Sequence, residues 1–192
     1  MSRTLVVITQ PTDPVPSLDE VKAHLRQDFA DDDDDIKSKI WGAITEFEDP
    51  NLGWLGRSIL ARELELRLDG FCDVIALPGG PLLEGEDFLI SYDDAAGVEQ
   101  TLPDTVYRVV NPELADCSVL VRKGQAWPTV SGEAQCVRLR YWAGYADDDV
   151  RINNFKSAVK LHVEMTYDGT TEARERLSET IDRLLQPYRV YR

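Results

Sequence analysis

The chain has 192 residues, 43% of them hydrophobic, and carries 21 Lys and Arg against 35 Asp and Glu, a formal charge of -14. This composition suits one good core or two small ones and excludes a disordered chain. It also excludes a general nucleic-acid binder, since phosphate affinity needs clustered Lys and Arg, yet it permits a surface past which DNA slides without sticking.

No stretch approaches the roughly 20 apolar residues of a transmembrane helix. Residues 1–10 lack the apolar run and small-residue cleavage site of a signal peptide, so synthesis in the cytoplasm is expected and Leu5-Val6-Val7-Ile8 reads as a short strand or tether. Pro11, Pro14 and Pro16 make an extended lead-in to a helix that starts after Ser17. Ser17-Leu18-Asp19-Glu20 has the form of a capping box, and Leu18, Val21 and Leu25 follow at spacings of three and four, with an end expected near Asp28. Five aspartates, Asp31, Asp32, Asp33, Asp34 and Asp35, open a second helix, where carboxylates favour the positive end of the dipole. They read as a solvated face, and as a candidate for the acidic lining of a channel only if the chain forms a ring; the alternating ligands and turn glycine of a calcium loop are missing. Ile36, Ile40, Ile44 and Phe47 form the apolar stripe of that helix, which is expected to end before Pro50.

From Arg57 the period changes. Leu64-Glu65-Leu66-Arg67-Leu68 alternates strictly, placing leucines on one face of a strand and charges on the other. Further strands are predicted at 74–77, 88–92, 98–102, 107–110, 119–121 and 137–142, separated by turn signals such as Pro78-Gly79-Gly80 and Lys123-Gly124. Helical spacing returns with Phe155, Ala158, Val159, His162, Val163 and Thr166, and Asp168-Gly169 marks its end. Thr171 is the expected cap of a last helix, whose Leu177, Ile181, Leu184 and Leu185 face inward. Pro187 stops it, since proline has no amide proton and clashes with the preceding turn. The tail Pro187, Tyr188, Arg189, Val190, Tyr191 and Arg192 combines stiff amphipathic rings with bidentate donors, the residue types enriched where proteins anchor on partners.

The expected fold class is α+β: a helical core of N- and C-terminal helices with an antiparallel β insertion. Residues 1–56 form the N-terminal strand or tether and helices, 57–146 the β insertion and 147–192 the C-terminal helices and tail, packing as one domain overall. No catalytic, cofactor or metal residues are assigned. Cys72, Cys117 and Cys136 are widely spaced without a CxxC pair, His24 and His162 lack the spacing of a metal site, and Gly79-Gly80 lacks the Gly-Lys-Ser/Thr of a phosphate loop. Trp127-Pro128 and the Tyr141 to Tyr145 segment read as packing aromatics.

Ser17-Leu18-Asp19-Glu20-Val21-Lys22-Ala23-His24-Leu25-Arg26, the acidic run, Leu68-Asp69-Gly70-Phe71, Leu77-Pro78, Tyr107-Arg108-Val109, Trp127-Pro128, Val137 to Tyr145 and the closing Pro187-Tyr188-Arg189-Val190 are familiar in their order and spacing. Over nearly the whole chain they resemble the head-to-tail connector, or adaptor, proteins of tailed phages, prophages and phage-derived gene transfer agents. The resemblance implies a structural virion protein of the neck, a dodecameric ring that joins a portal protein to a tail-side stopper or tail terminator. DNA would pass through its lumen without specific binding. It also implies no enzyme activity, no cofactor, no membrane partner, and a terminal segment that grips the portal. The chain departs from the commoner pattern where Trp54 follows Asn51-Leu52-Gly53 and where Val150-Arg151-Ile152-Asn153 lacks a proline often found there. Two other readings are a tail-completion or tail-terminator ring protein, disfavoured by the helix-first order, and a carboxylate-dependent enzyme, which needs a concave pocket with two converging acids.

Overall fold

Strict alternation in a leucine-rich segment can be buried on one face only, and the chain builds a two-sheet unit around that face. The computed structural model describes residues 2–49, 53–168 and 170–190. The fold is α+β, with two compact units: Met1–Gln10 with Ala61–Gly144, and Pro11–Leu60 with Tyr145–Arg192. The unit boundaries thus fall at 60/61 and 144/145, where the sequence suggests 56/57 and 146/147.

The β unit contains β1 (Arg3–Thr9), β2 (Arg62–Leu68), β3 (Val74–Ala76), β4 (Phe88–Asp93), β5 (Glu99–Thr101), β6 (Tyr107–Val110), β7 (Ser118–Val121) and β8 (Val137–Ala143). A five-stranded antiparallel sheet runs in the order β1-β2-β8-β4-β5, and a three-stranded one in the order β3-β7-β6. Leu64, Leu66 and Leu68 stand opposite Tyr141, Leu139 and Val137, and these side chains form the buried core together with Ile90, Ile75 and Val119. On the other face Glu65 lies opposite Arg140 and accepts hydrogen bonds from it at 2.8 Å and from Arg67 at 2.7 Å. Burial pushes the Glu65 carboxyl up, but the two guanidinium groups outweigh it and hold the group below its ordinary range.

The N-terminal segment, grouped with the helices in the sequence reading, belongs to this sheet. Leu5 pairs with Leu66 and Val7 with Leu64, so its apolar positions extend the core face of β2. Nothing local in the sequence names that partner, which lies some sixty residues on.

The helical unit contains α1 (Leu18–Leu25), α2 (Asp33–Glu48), a 3-10 turn at Val150–Ile152, α3 (Asn153–Asp168) and α4 (Thr171–Leu185). The capping box forms: the Ser17 hydroxyl accepts from the Glu20 amide at 3.3 Å and Glu20 accepts from the Ser17 amide at 2.9 Å. α1 is shorter than expected and stops at Leu25. Arg26 adopts the left-handed conformation at φ 56°, and the amides of Arg26 and Gln27 turn back to the carbonyls of Ala23 and Lys22. α4 is capped by Thr170 and not by Thr171; the Thr170 hydroxyl accepts from the Ala173 amide at 3.3 Å. The expected stops at Pro50 and Gly169 lie outside the described residues.

Val21, Ile36, Ile40, Ile44, Phe47, Phe155, Ala158, Val159, Val163, Ile181 and Leu185 form the core of this unit. Leu184 packs against it partly exposed, and Leu177 is half-buried. At the end of α2 the wholly buried Glu48 carboxylate accepts the amides of Ile59 at 2.6 Å and Leu60 at 2.7 Å. It thereby satisfies two buried donors of the segment that leaves the helix.

Candidate functional site

Leu185 is fully buried at the end of α4, and the chain then makes a 3-10 turn over Gln186–Tyr188. Proline can start such a turn because its missing amide would have no partner there. Arg189 is extended, and the tail lies back on its own helical unit through three contacts. The Val190 amide donates to the Leu55 carbonyl at 2.9 Å, the Tyr188 hydroxyl donates to the Arg151 carbonyl, and the Arg189 guanidinium stands 4.8 Å over the Trp54 ring. Tyr188 is half-buried against the helical core. Burial raises its phenol above the ordinary value, with Tyr145 and Asp149 adding to the effect and Arg57 opposing it. Pro187 and Arg189 are exposed, and Tyr191 and Arg192 lie outside the described residues.

The seat of the tail comes from the segment that follows α2 and from the turn that precedes α3. Trp54 and Leu55 follow α2, and Gly56 holds φ at 67°, a conformation that suits glycine. Arg151 sits in the 3-10 turn that Asp149 caps through the Arg151 amide at 2.8 Å. The same Asp149 takes the Arg151 guanidinium at 2.5 Å, and these bonds hold its carboxyl below the usual range. Tyr145 lies between two cations: Arg151 at 4.5 Å and Arg57 at 5.5 Å from the ring centre, with the buried Arg57 also donating to the Tyr145 hydroxyl at 2.6 Å. A groove of about 220 Å³ runs beside the tail, lined by Trp54, Asp182, Arg183, Gln186 and Arg189. Sequence reading names the tail but misses its seat, because residues 54–57, 145 and 151 meet residues 188–190 only in the folded unit.

The five aspartates do not behave as one solvated face. Asp31, Asp34 and Asp35 are exposed. Asp33 takes Lys22 of α1 at 2.5 Å, Asp35 takes Lys39 at 2.9 Å, and Asp34 stands 3.9 Å from Lys37. Asp32 precedes α2 without a side-chain capping bond. Its carboxylate instead accepts the Tyr167 hydroxyl of α3 at 2.5 Å and the Gln27 amide at 3.2 Å. The bond to Asp32 raises the Tyr167 phenol above its ordinary value. The run thus fastens the start of α2 to α1 and α3 as well as facing solvent.

Other side chains of chemical interest are accounted for by packing. Cys117 and Cys136 are buried, and burial pushes the Cys117 thiol up to about 11. Trp127 stacks on Phe71 with ring centres 4.7 Å apart, and the Tyr141 hydroxyl donates to the Pro78 carbonyl at 2.7 Å. His24 meets Glu164 at 2.8 Å, and His162 lies edge-on to Phe47. Among the described residues no group of three His, Cys, Asp or Glu side chains stands close enough to hold a metal ion. Among them also, no helix is long and apolar enough to cross a membrane.

No protein-family model matches the chain, and no curated protein matches it in sequence. Solved structures do resemble it. A chain in the virion of a native gene transfer agent particle superposes with a TM-score of 0.73 at 22% identity, covering 98% of this chain and 96% of that one. A chain in the neck of an empty gene transfer agent particle, computed with C6 symmetry, gives 0.68 at 22% identity over 100% and 97% of the two chains. One in the neck of a native particle, computed with C12 symmetry, gives 0.67 at 21% over 98% and 96%. At this level of identity the likeness is one of fold, and it extends through both units, end to end.

Proposed function

We propose that the protein is a structural component of the neck of a phage-like particle or gene transfer agent, acting as the head-tail connector, or adaptor, between portal and tail. The observation that carries this reading is the whole-length fold match to two chains of particle necks, with TM-scores of 0.68 and 0.67, and to a chain of a whole virion at 0.73, each over 98% or more of this chain. The cyclic symmetry of those necks supports a ring of identical subunits, twelve in the fuller symmetry. The subunit is made in the bacterial host cytoplasm and resides in the particle neck. It contacts the portal protein on one side and a stopper or tail terminator on the other, and performs no catalysis.

In this reading the segment Pro187 to Arg192 is the partner-binding element, held by the portal or by a neighbouring subunit, and DNA passes through the ring without specific contacts. The charge of -14 supports that passage, because a predominantly anionic subunit repels phosphates. Of the exposed Asp31, Asp34 and Asp35, the last is held in an ion pair with Lys39 at 2.9 Å, so Asp31 and Asp34 suit a lumen surface best. Deleting the gene and examining the particles by electron microscopy tests the function. Filled heads and free tails that fail to join are expected, with joining restored by the protein supplied in trans; complete particles in its absence would overturn the reading.

A further inference from the structure

We propose that the tail and its seat form a joint for exchange between subunits: in the assembled ring, residues 186–190 of one copy occupy the seat made by Trp54, Leu55 and Arg151 of the next. This deepens the ring reading and rests on it. The occupant is a second copy of this chain because the seat already binds that segment. The Leu55 carbonyl, the Arg151 carbonyl and the Trp54 face match the Val190 amide, the Tyr188 hydroxyl and the Arg189 guanidinium atom for atom. Exchange of an identical element preserves every one of these contacts, which is why it is a low-cost route to assembly.

The tail is also built to leave. Leu185 is its last fully buried residue, Gln186 and Pro187 are exposed, and proline has no amide to tie the turn to α4. Five residues beyond Leu185 reach about 17 Å when extended, which limits how far away a neighbour's Leu55 can lie. Tail and seat are different surfaces, so the contact is heterologous and generates a ring when the rotation between copies closes. In a dilute solution the tail's own seat is always at hand and the intrachain contact wins. On a portal the neighbouring seat is held at high effective concentration, and exchange becomes competitive.

Gly56 supplies the test. A Cβ built there stands 3.9 Å from the Val190 Cβ, within the roughly 3.5–4.5 Å that a disulfide spans. The double variant Gly56→Cys with Val190→Cys, carrying Cys72→Ser to remove the partly exposed native thiol, is oxidised and run on a non-reducing gel. Three samples are compared: dilute protein, concentrated protein and purified particles. An intrachain bond is expected in the dilute sample, and a ladder of linked subunits in the particles or the concentrated sample. Only intrachain bonds in particles that contain the chain, or in the concentrated sample should the chain not enter particles, would overturn the proposal. Should the left-handed Gly56 position reject cysteine, a photoreactive residue at position 190 gives the same reading with Gly56 intact. Whether the chain enters particles at all is read separately on a reducing gel, so failure of the neck assignment and failure of the exchange are told apart.

Discussion

Asp31 and Asp32 are adjacent and carry the same charge, yet they have different work. Asp31 is exposed, whereas Asp32 holds the Tyr167 hydroxyl across from α3 and the Gln27 amide. Asp31→Ser is therefore expected to leave the urea unfolding midpoint unchanged. Asp32→Ala is expected to lower stability by about 1 kcal/mol, the usual net worth of a partly buried hydrogen bond. A double-mutant cycle with Tyr167→Phe checks the source, since the two losses should not add; equal effects of Asp31 and Asp32 substitutions would discard the distinction. His162 makes a second residue-scale prediction. Burial lowers its pKa below the usual 6.5, while Glu46 at 3.8 Å opposes the shift. The unfolded chain then takes up its proton before the folded one does. Stability contributed by the neutral ring is complete above about pH 6.5 and is lost as pH falls toward the lowered folded value. His162→Gln should flatten the unfolding midpoint between pH 7 and 5, and an unchanged slope would remove His162 as the cause.

At the scale of elements, the tail tests how much a terminal segment contributes to its own unit. Deleting residues 187–192 removes the half-buried Tyr188 ring and the Val190 to Leu55 hydrogen bond but leaves Leu185 and the helical core in place. The truncated chain is expected to fold with native circular dichroism and to lose about 2 to 4 kcal/mol, the sum of the Val190 and Tyr188 hydrogen bonds, the Arg189–Trp54 contact and partial burial of one aromatic ring. Loss of cooperative unfolding would mean that the tail is part of the core. Elements whose signals are local were legible in the sequence: the capping box before α1, the alternation of β2, and the turns that punctuate β3 to β8. Boundaries governed by conformation were less so. Arg26 ends α1 in a left-handed conformation for which glycine is the usual sign, and Thr170 and Thr171 are chemically alike as caps. Contacts between distant residues left no trace. The pairing of β1 with β2, the grip of Asp32 on Tyr167 and the seat of the tail at residues 54–55 and 151 each join segments whose proximity exists only after folding. The exposed acidic and aromatic residues were recognisable as candidates from their chemistry, but which of them are free and which are fastened is a property of the packing.

For the whole molecule, charge opposes what shape invites. Each copy carries a formal charge of -14, so two copies approaching in dilute salt repel over distances of the order of the Debye length, about 10 Å at 0.1 M ionic strength. Association must also offset roughly 4 to 15 kcal/mol of lost translational and rotational freedom. The joint between tail and seat gains nothing on exchange, because its hydrogen bonds and its cation–π contact are the same within one chain as between two. New contacts formed around the ring must therefore supply the difference, helped by a template that fixes the subunits near one another. Purified protein is accordingly expected to be monomeric at micromolar concentration in low salt. Association should strengthen as added salt screens the repulsion, the reverse of what a surface held together by ion pairs would show. Sedimentation velocity across a salt series, with and without portal protein, makes the comparison. A large ring that is stable at low salt without portal, or association that weakens as salt is added, would show that complementary charge and not a template drives assembly.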